Sequence, residues 1–261
     1  MGIDPTSRDL HGASALSTFV RYSNLDHDRA VEIIDHLIEK GSDISDTDDD
    51  GYDCVLSACS GSLPFETKMY MVDKEGDINK ICVLLFMTPF HALCMSDLNL
   101  QEMRLVVEKY KPDLTIMHSM HVTIICTLCT SSTHLDVLQY IVDLCPKEIL
   151  NESTSAVGMC ITRNRLDFLE CILDAGVPID LGLCVFGIEI NASSLDIIVK
   201  FRDINSRDSQ GETLLHHSAR AGSQKATQKL LELGADPDIE NIHGKTPTSY
   251  MIESKMVHSI M

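Results

Sequence analysis

Pairs of adjacent aliphatic residues recur along the chain inside short amphipathic stretches: Leu37/Ile38, Leu84/Leu85, Val106/Val107, Ile141/Val142, Ile172/Leu173, Ile198/Val199 and Leu230/Leu231. Apolar residues at helical spacing around such a pair predict a helix with one face to bury and one to solvate. The pairs are 47, 22, 35, 31, 26 and 32 residues apart. Intervals of that size mark an array of stacked helix pairs, each with an apolar face it cannot bury alone.

The repeat is clearest near the carboxyl end, where Asp208-Ser-Gln-Gly211-Glu-Thr returns as Asn241-Ile-His-Gly244-Lys-Thr, glycine to glycine 33 residues apart. Between the glycines lie a short helical pattern from Thr213 to Gly222 and a second from Lys225 to Glu232, closed by Gly234-Ala-Asp236. These residues resemble the ankyrin-repeat family, with its turn, two antiparallel helices and loop. The resemblance runs over nearly the whole chain, as about seven repeats and a terminal half-repeat from His243, and makes 1–261 a single ankyrin-repeat domain. It implies an all-α ankyrin-repeat solenoid of helix-turn-helix repeats joined by short hairpin loops, elongated and stabilised by nearest-neighbour interfaces.

Two of the intervals need explaining. Thr88-Pro-Phe-His91-Ala-Leu reads as the first helix of the third repeat and follows Leu85 directly. The phasing therefore places the second helix of repeat two at Asp77 to Phe86 and leaves no hairpin between these repeats. It also predicts an insertion near residues 62–75, expected to be a surface loop.

Composition narrows the function. Residues are 44% hydrophobic and only 5% aromatic, without tryptophan, which suits closely stacked helices lined by small and aliphatic side chains. Twenty-one basic residues against 39 acidic ones give a net charge of −18, which disfavours direct binding of nucleic acid. The longest apolar runs, such as 81–87, are far too short to span a bilayer, so no membrane segment is expected. The amino terminus lacks a basic region followed by an apolar one, so no signal peptide is expected. Cys54, Cys59, Cys82, Cys126 and Cys171, among ten cysteines, sit in apolar helical stretches and read as reduced core thiols. The expected location is intracellular, in cytoplasm, nucleus or both.

Chemical motifs are few. Asp46-Thr-Asp48-Asp-Asp50-Gly51 matches the first half of a calcium loop, but Ser57 stands where the bidentate glutamate belongs, and Asp48-x-x-Gly51 aligns with the hairpin turn Asp208-x-x-Gly211. His118-x-x-His121 and Cys126-x-x-Cys129 offer zinc-ligand types, yet the two cysteines fall on a first helix that must pack against its neighbour. His91 and His216 share one slot, three residues after a threonine; the family resemblance implies that this histidine supports neighbouring loop backbone. No nucleophile elbow, Walker loop or zincin helix occurs. The chain is expected to be no enzyme and to need neither cofactor nor metal.

Charge is what remains. From Asp43 to Asp53, six of eleven residues are aspartate and none is basic. A run of this kind is either a solvated turn or a finger that steers a basic partner segment. In the second case Asp46, Asp48, Asp49, Asp50, Tyr52 and Asp53 form the candidate partner site; the fallback is Arg207, Gln210, Asn241 and His243 on later fingers, which the repeat phase expects to be exposed. The expected function is a non-catalytic protein–protein interaction module, a regulatory adaptor or inhibitor binding its partner on the concave and finger surface. The acidic array is similar to IκB-like domains that mask basic localisation segments, and the stretch from Asp50 to Ser62 is similar to a repeat of Notch-type domains. Two alternatives stay open: the ankyrin domain of a transcriptional regulator, and the substrate-recognition part of a larger enzyme or ubiquitin-ligase assembly.

Overall fold

The computed structural model describes residues 7–75, 77–82, 84–118, 122–182, 184 and 193–254. Among them the chain is all-α, with isolated β-bridges only, at Arg8 to Ser14, Cys82 to Met87 and His118 to Val122. It falls into two compact units, Met1–Tyr140 and Ile141–Met261.

In the first unit, helices alternate between an inner set, α1 (Ala15–Tyr22), α3 (Cys54–Ser60), α5 (Pro89–Cys94) and α7 (Ile124–Ser131), and an outer set, α2 (His27–Glu39), α4 (Phe65–Glu75) and α6 (Leu100–Tyr110). The inner helices stack in sequence order, α1 on α3, α3 on α5 and α5 on α7, while α2 packs on α4. Leu16, Val20, Ile34, Ala58 and Met71, all fully buried, join two neighbouring repeats in one core. Helix α8 (Leu135–Leu144) carries the boundary between the units. The second unit continues with α9 (Lys147–Glu152), α10 (Thr154–Thr162), α11 (Leu166–Asp174), α12 (Ser193–Phe201), α13 (Leu214–Ala221), α14 (Gln224–Glu232) and α15 (Pro247–Glu253). In it α10 packs on α11, α11 on α12, and α13 on both α14 and α15.

Local sequence explains where the inner helices begin. Ser14, Asp53, Thr88, Thr123, Thr213 and Thr246 each accept a hydrogen bond from a backbone N–H in the first turn, and Pro89 and Pro247 occupy a position where no N–H is needed. Thr213 forms a reciprocal capping box with His216.

Two expectations are corrected. Residues 65–75, assigned to a surface loop within the 62–75 insertion, are α4, the second helix of repeat two, with Met71 and Val72 fully buried. Residues 77–82 and 84–86, assigned to that helix, instead form with Met87 a hairpin finger closed by the Cys82 N–H donating to the Met87 carbonyl at 2.9 Å. The finger thought missing is therefore present. Leu84 and Leu85 imitate the aliphatic pair of a second helix, but Leu84 is 63% exposed and Phe86 sits at φ +52°.

Candidate functional site

The acidic finger is residues 43–53, which turn at Gly51 and return to cap α3. Asp48 makes the turn: its N–H donates to the Tyr52 carbonyl at 2.9 Å, and its Oδ1 accepts from the Asp50 and Tyr52 amides at 3.1 and 2.8 Å. Gly51, at φ +83°, takes the left-handed conformation the turn requires. The turn at 208–212 repeats this, with Asp208 accepting from the Gln210 and Glu212 amides and Gly211 at φ +71°. The Asp-x-x-Gly motif is thus a backbone device.

Most of the aspartates are occupied by the fold. Asp43 Oδ1 accepts from the Ser45 amide and hydroxyl at 2.9 and 2.7 Å, which lowers its pKa. Asp46 pairs with Arg8 at 2.7 Å, and Asp48 Oδ2 lies 3.4 Å from Arg21 Nη1. The Arg21 guanidinium stacks 4.3 Å from the centroid of the half-buried Tyr52 ring. Asp53 is buried, accepts from the Leu56 amide at 2.8 Å and pairs with Lys80 at 3.0 Å. Asp49 and Asp50 differ: both are exposed, and among the described residues neither carboxylate meets a cation. The backbone of Asp49 is fixed by its amide donating to the His11 carbonyl at 2.9 Å in the first finger.

The same geometry bears on metals. The lone pairs that a cation would use on Asp46 and Asp48 are directed at two arginines and two amides. Cys126 and Cys129 are fully buried in α7, and His121, the second histidine of that motif, lies outside the described residues. A group not anticipated from sequence is Asp208, Glu212 and His217, whose ligand atoms lie within 4.8 Å of one another. Arg220, however, stands 2.7 Å from Glu212 and 3.0 Å from His217 Nδ1, so a fixed positive charge already offsets one of the two carboxylates of this cluster.

The fallback residues divide. Arg207 and Gln210 are exposed, but Arg207 donates to the Gly211 carbonyl at 3.1 Å and to that of Glu240, tying two fingers together. His243 is exposed. Asn241, expected on the surface, is 5% exposed: its Oδ1 accepts from the His243 and Lys245 amides, and its Nδ2 donates to Glu212. That position corresponds to the turn aspartate, so it builds the finger and does not present it.

The shared histidine slot behaves as expected at His216, whose Nε2 meets the Lys245 carbonyl of the next finger at 3.1 Å. Burial lowers its pKa. At His91, Nδ1 meets Thr88 Oγ1 at 2.8 Å, while Nε2 faces the Ile116 backbone without a well-formed hydrogen bond. None of the ten cysteines is in a disulfide, and burial pushes the thiols of Cys54, Cys59, Cys145 and Cys184 up to about 12, far from reactive thiolates.

The remaining large feature of the first unit is a cavity of about 570 Å³ between Tyr52, the loop 60–63, Lys68, Met87 and the loop 95–97. Lys68, 5% exposed, donates to the Cys59 carbonyl at 3.2 Å, and burial lowers its pKa. It closes the carbonyl end of α3, where positive charge is favoured.

Comparison with known proteins agrees with the repeat geometry. The family model for the ankyrin repeat matches residues 210–242. The regulatory protein SWI6 of Kluyveromyces lactis is 43% identical over 47 residues, which is 18% of this chain and 6% of that protein, so the chain matches a small part of its curated relative. The crystal structure of the ankyrin repeat domain of Bcl-3, described as a unique member of the IkappaB protein family, superposes with a TM-score of 0.60 at 17% identity, covering 79% of this chain and 99% of that one. Finger turns built on Asp-x-x-Gly, threonine-capped inner helices and paired outer helices, with the family match at 210–242, show that the chain carries an ankyrin repeat and has the ankyrin-repeat fold.

Proposed function

We propose that the chain is a non-catalytic interaction module, a regulatory adaptor or inhibitor, that recruits a protein partner carrying a basic segment to its second finger. The observation carrying this reading is the pair Asp49 and Asp50: exposed carboxylates, unpaired with a cation among the described residues, on a finger whose backbone is fixed by its neighbours. A rigid, water-facing negative charge on a protein of net charge −18 steers cations toward it and repels other polyanions, nucleic acid included. The 47-residue similarity to a protein named as regulatory supports the regulatory sense. Thiols without disulfides support a place in the cytoplasm or nucleus, and among the described residues no helix is long and apolar enough to cross a membrane.

The structure narrows the mutation that tests this. Asp46 and Asp48 hold arginines, so Asp49→Asn with Asp50→Asn is the pair that removes charge without breaking an ion pair of the finger. A fluorescent lysine- and arginine-rich peptide should bind the native protein and lose about tenfold in affinity to the double variant at low salt, with less loss at physiological ionic strength. Equal affinity of both proteins would reject the site.

A further inference from the structure

The third finger, absent from the sequence-based phasing, presents an apolar surface. Ile81, Leu84 and Phe86 are 46, 63 and 54% exposed, whereas Cys82 and Met87, which carry the bridge, are buried. Phe86 holds φ +52°, a conformation that side chains other than glycine pay to adopt, and the ring nevertheless faces water. Its inner residues fasten this finger to the fold, so the outer three are presented and not merely unpacked.

The apolar tip adjoins the acidic one. Leu84 lies against Gly51, where an added Cβ would stand 3.4 Å from two of its carbons, and the Cys82 thiol lies 3.8 Å from the Asp50 carbonyl. A cavity of about 370 Å³, lined in part by Asp48, Gly51, Leu56, Ile81 and Leu84, opens between the two fingers. Lys80, also on its wall, is neutralised by Asp53. Apolar side chains and a cleft with room for a large side chain therefore adjoin the acidic finger, whose open carboxylates face the first finger, Asp49 against Gly12 and Asp50 on a hollow shared with His11 and Arg21.

We infer that the second and third fingers together bind a partner segment in which a large aliphatic or aromatic side chain enters this cleft and nearby lysines or arginines reach across the finger tip to meet Asp49 and Asp50. The inference rests on the basic-segment reading and adds an apolar anchor to it. Charge selects this occupant over the other candidates: a second copy would bring its own net charge of −18 against these carboxylates, and an anionic lipid surface would be repelled by them.

A phage-displayed library of random twelve-residue peptides is the probe, selected on the native protein and then measured as free peptides. Enriched peptides should pair Leu, Ile, Phe or Met with neighbouring Lys or Arg and lose at least tenfold in affinity to Leu84→Ser with Phe86→Ser. Phe86→Gly, which suits the positive φ, should keep full stability and still weaken binding. Peptides sensitive to Asp49→Asn/Asp50→Asn but indifferent to the apolar variants would overturn the inference and leave the basic-segment reading standing. No enrichment, or indifference to both sets, would end both. Self-association of the native protein, abolished by Leu84→Ser with Phe86→Ser, would overturn it in favour of an interface between copies.

Discussion

Gly61 shows how little room separates adjacent inner helices. A Cβ built there would lie 2.6 and 2.7 Å from the Arg21 and Val20 carbonyl oxygens, backbone atoms that cannot swing aside. Gly61→Ala should therefore cost about 1–3 kcal/mol by forced displacement, read as a lowered urea midpoint with an unchanged slope. His91 supplies a second residue-level test. It is 2% exposed, and burial, helped by His118, pushes its pKa from 6.5 to about 4. The unfolded chain takes up this proton first, so the histidine's contribution is intact above about pH 6.5 and is lost as pH falls toward 4, by about 3 kcal/mol in all. His91→Gln should flatten the stability profile across that window, and an unchanged profile would show that other groups set it. The residues that build the candidate site were only partly legible. Asp49 and Asp50 could be chosen out of six aspartates only once Arg8, Arg21 and Lys80 were seen to occupy Asp46, Asp48 and Asp53, pairings between 27 and 38 positions apart that no local pattern announces.

Helix α4 is the element on which sequence and structure part. If Phe65–Glu75 packs as a second helix, Met71→Ala removes a fully buried side chain and should destabilise by about 2–5 kcal/mol; in a surface loop the same change would be nearly silent. Thermal or urea unfolding decides between them. The mistake has a physical origin. α4 buries Met69, Met71 and Val72 in place of a Leu/Ile pair, while the finger after it carries Leu84 and Leu85, so aliphatic pairing pointed at the wrong segment. The helices from Thr213 to Glu232 and from Thr88 to Cys94 were legible because cap, proline and glycine signals agree there with the hydrophobic period. Exposure follows no such period: three apolar residues of the third finger face water, and Asn241 on a turn is buried.

At the scale of the whole chain, 39 acidic against 21 basic residues create a field that acts beyond any single contact. Self-repulsion opposes the compact state, so added salt should stabilise the fold while weakening attraction for a basic partner. That opposition separates recruitment from stability. The most direct test of recruitment is the association rate of a labelled basic peptide, followed by stopped flow from about 20 mM to about 200 mM salt, for the native protein and for Asp49→Asn/Asp50→Asn. The native rate should fall steeply with ionic strength and the variant's should fall less, with dissociation changed far less than association. Equal rates and equal salt slopes for the two proteins would contradict the claim that the open carboxylates of the second finger recruit the partner.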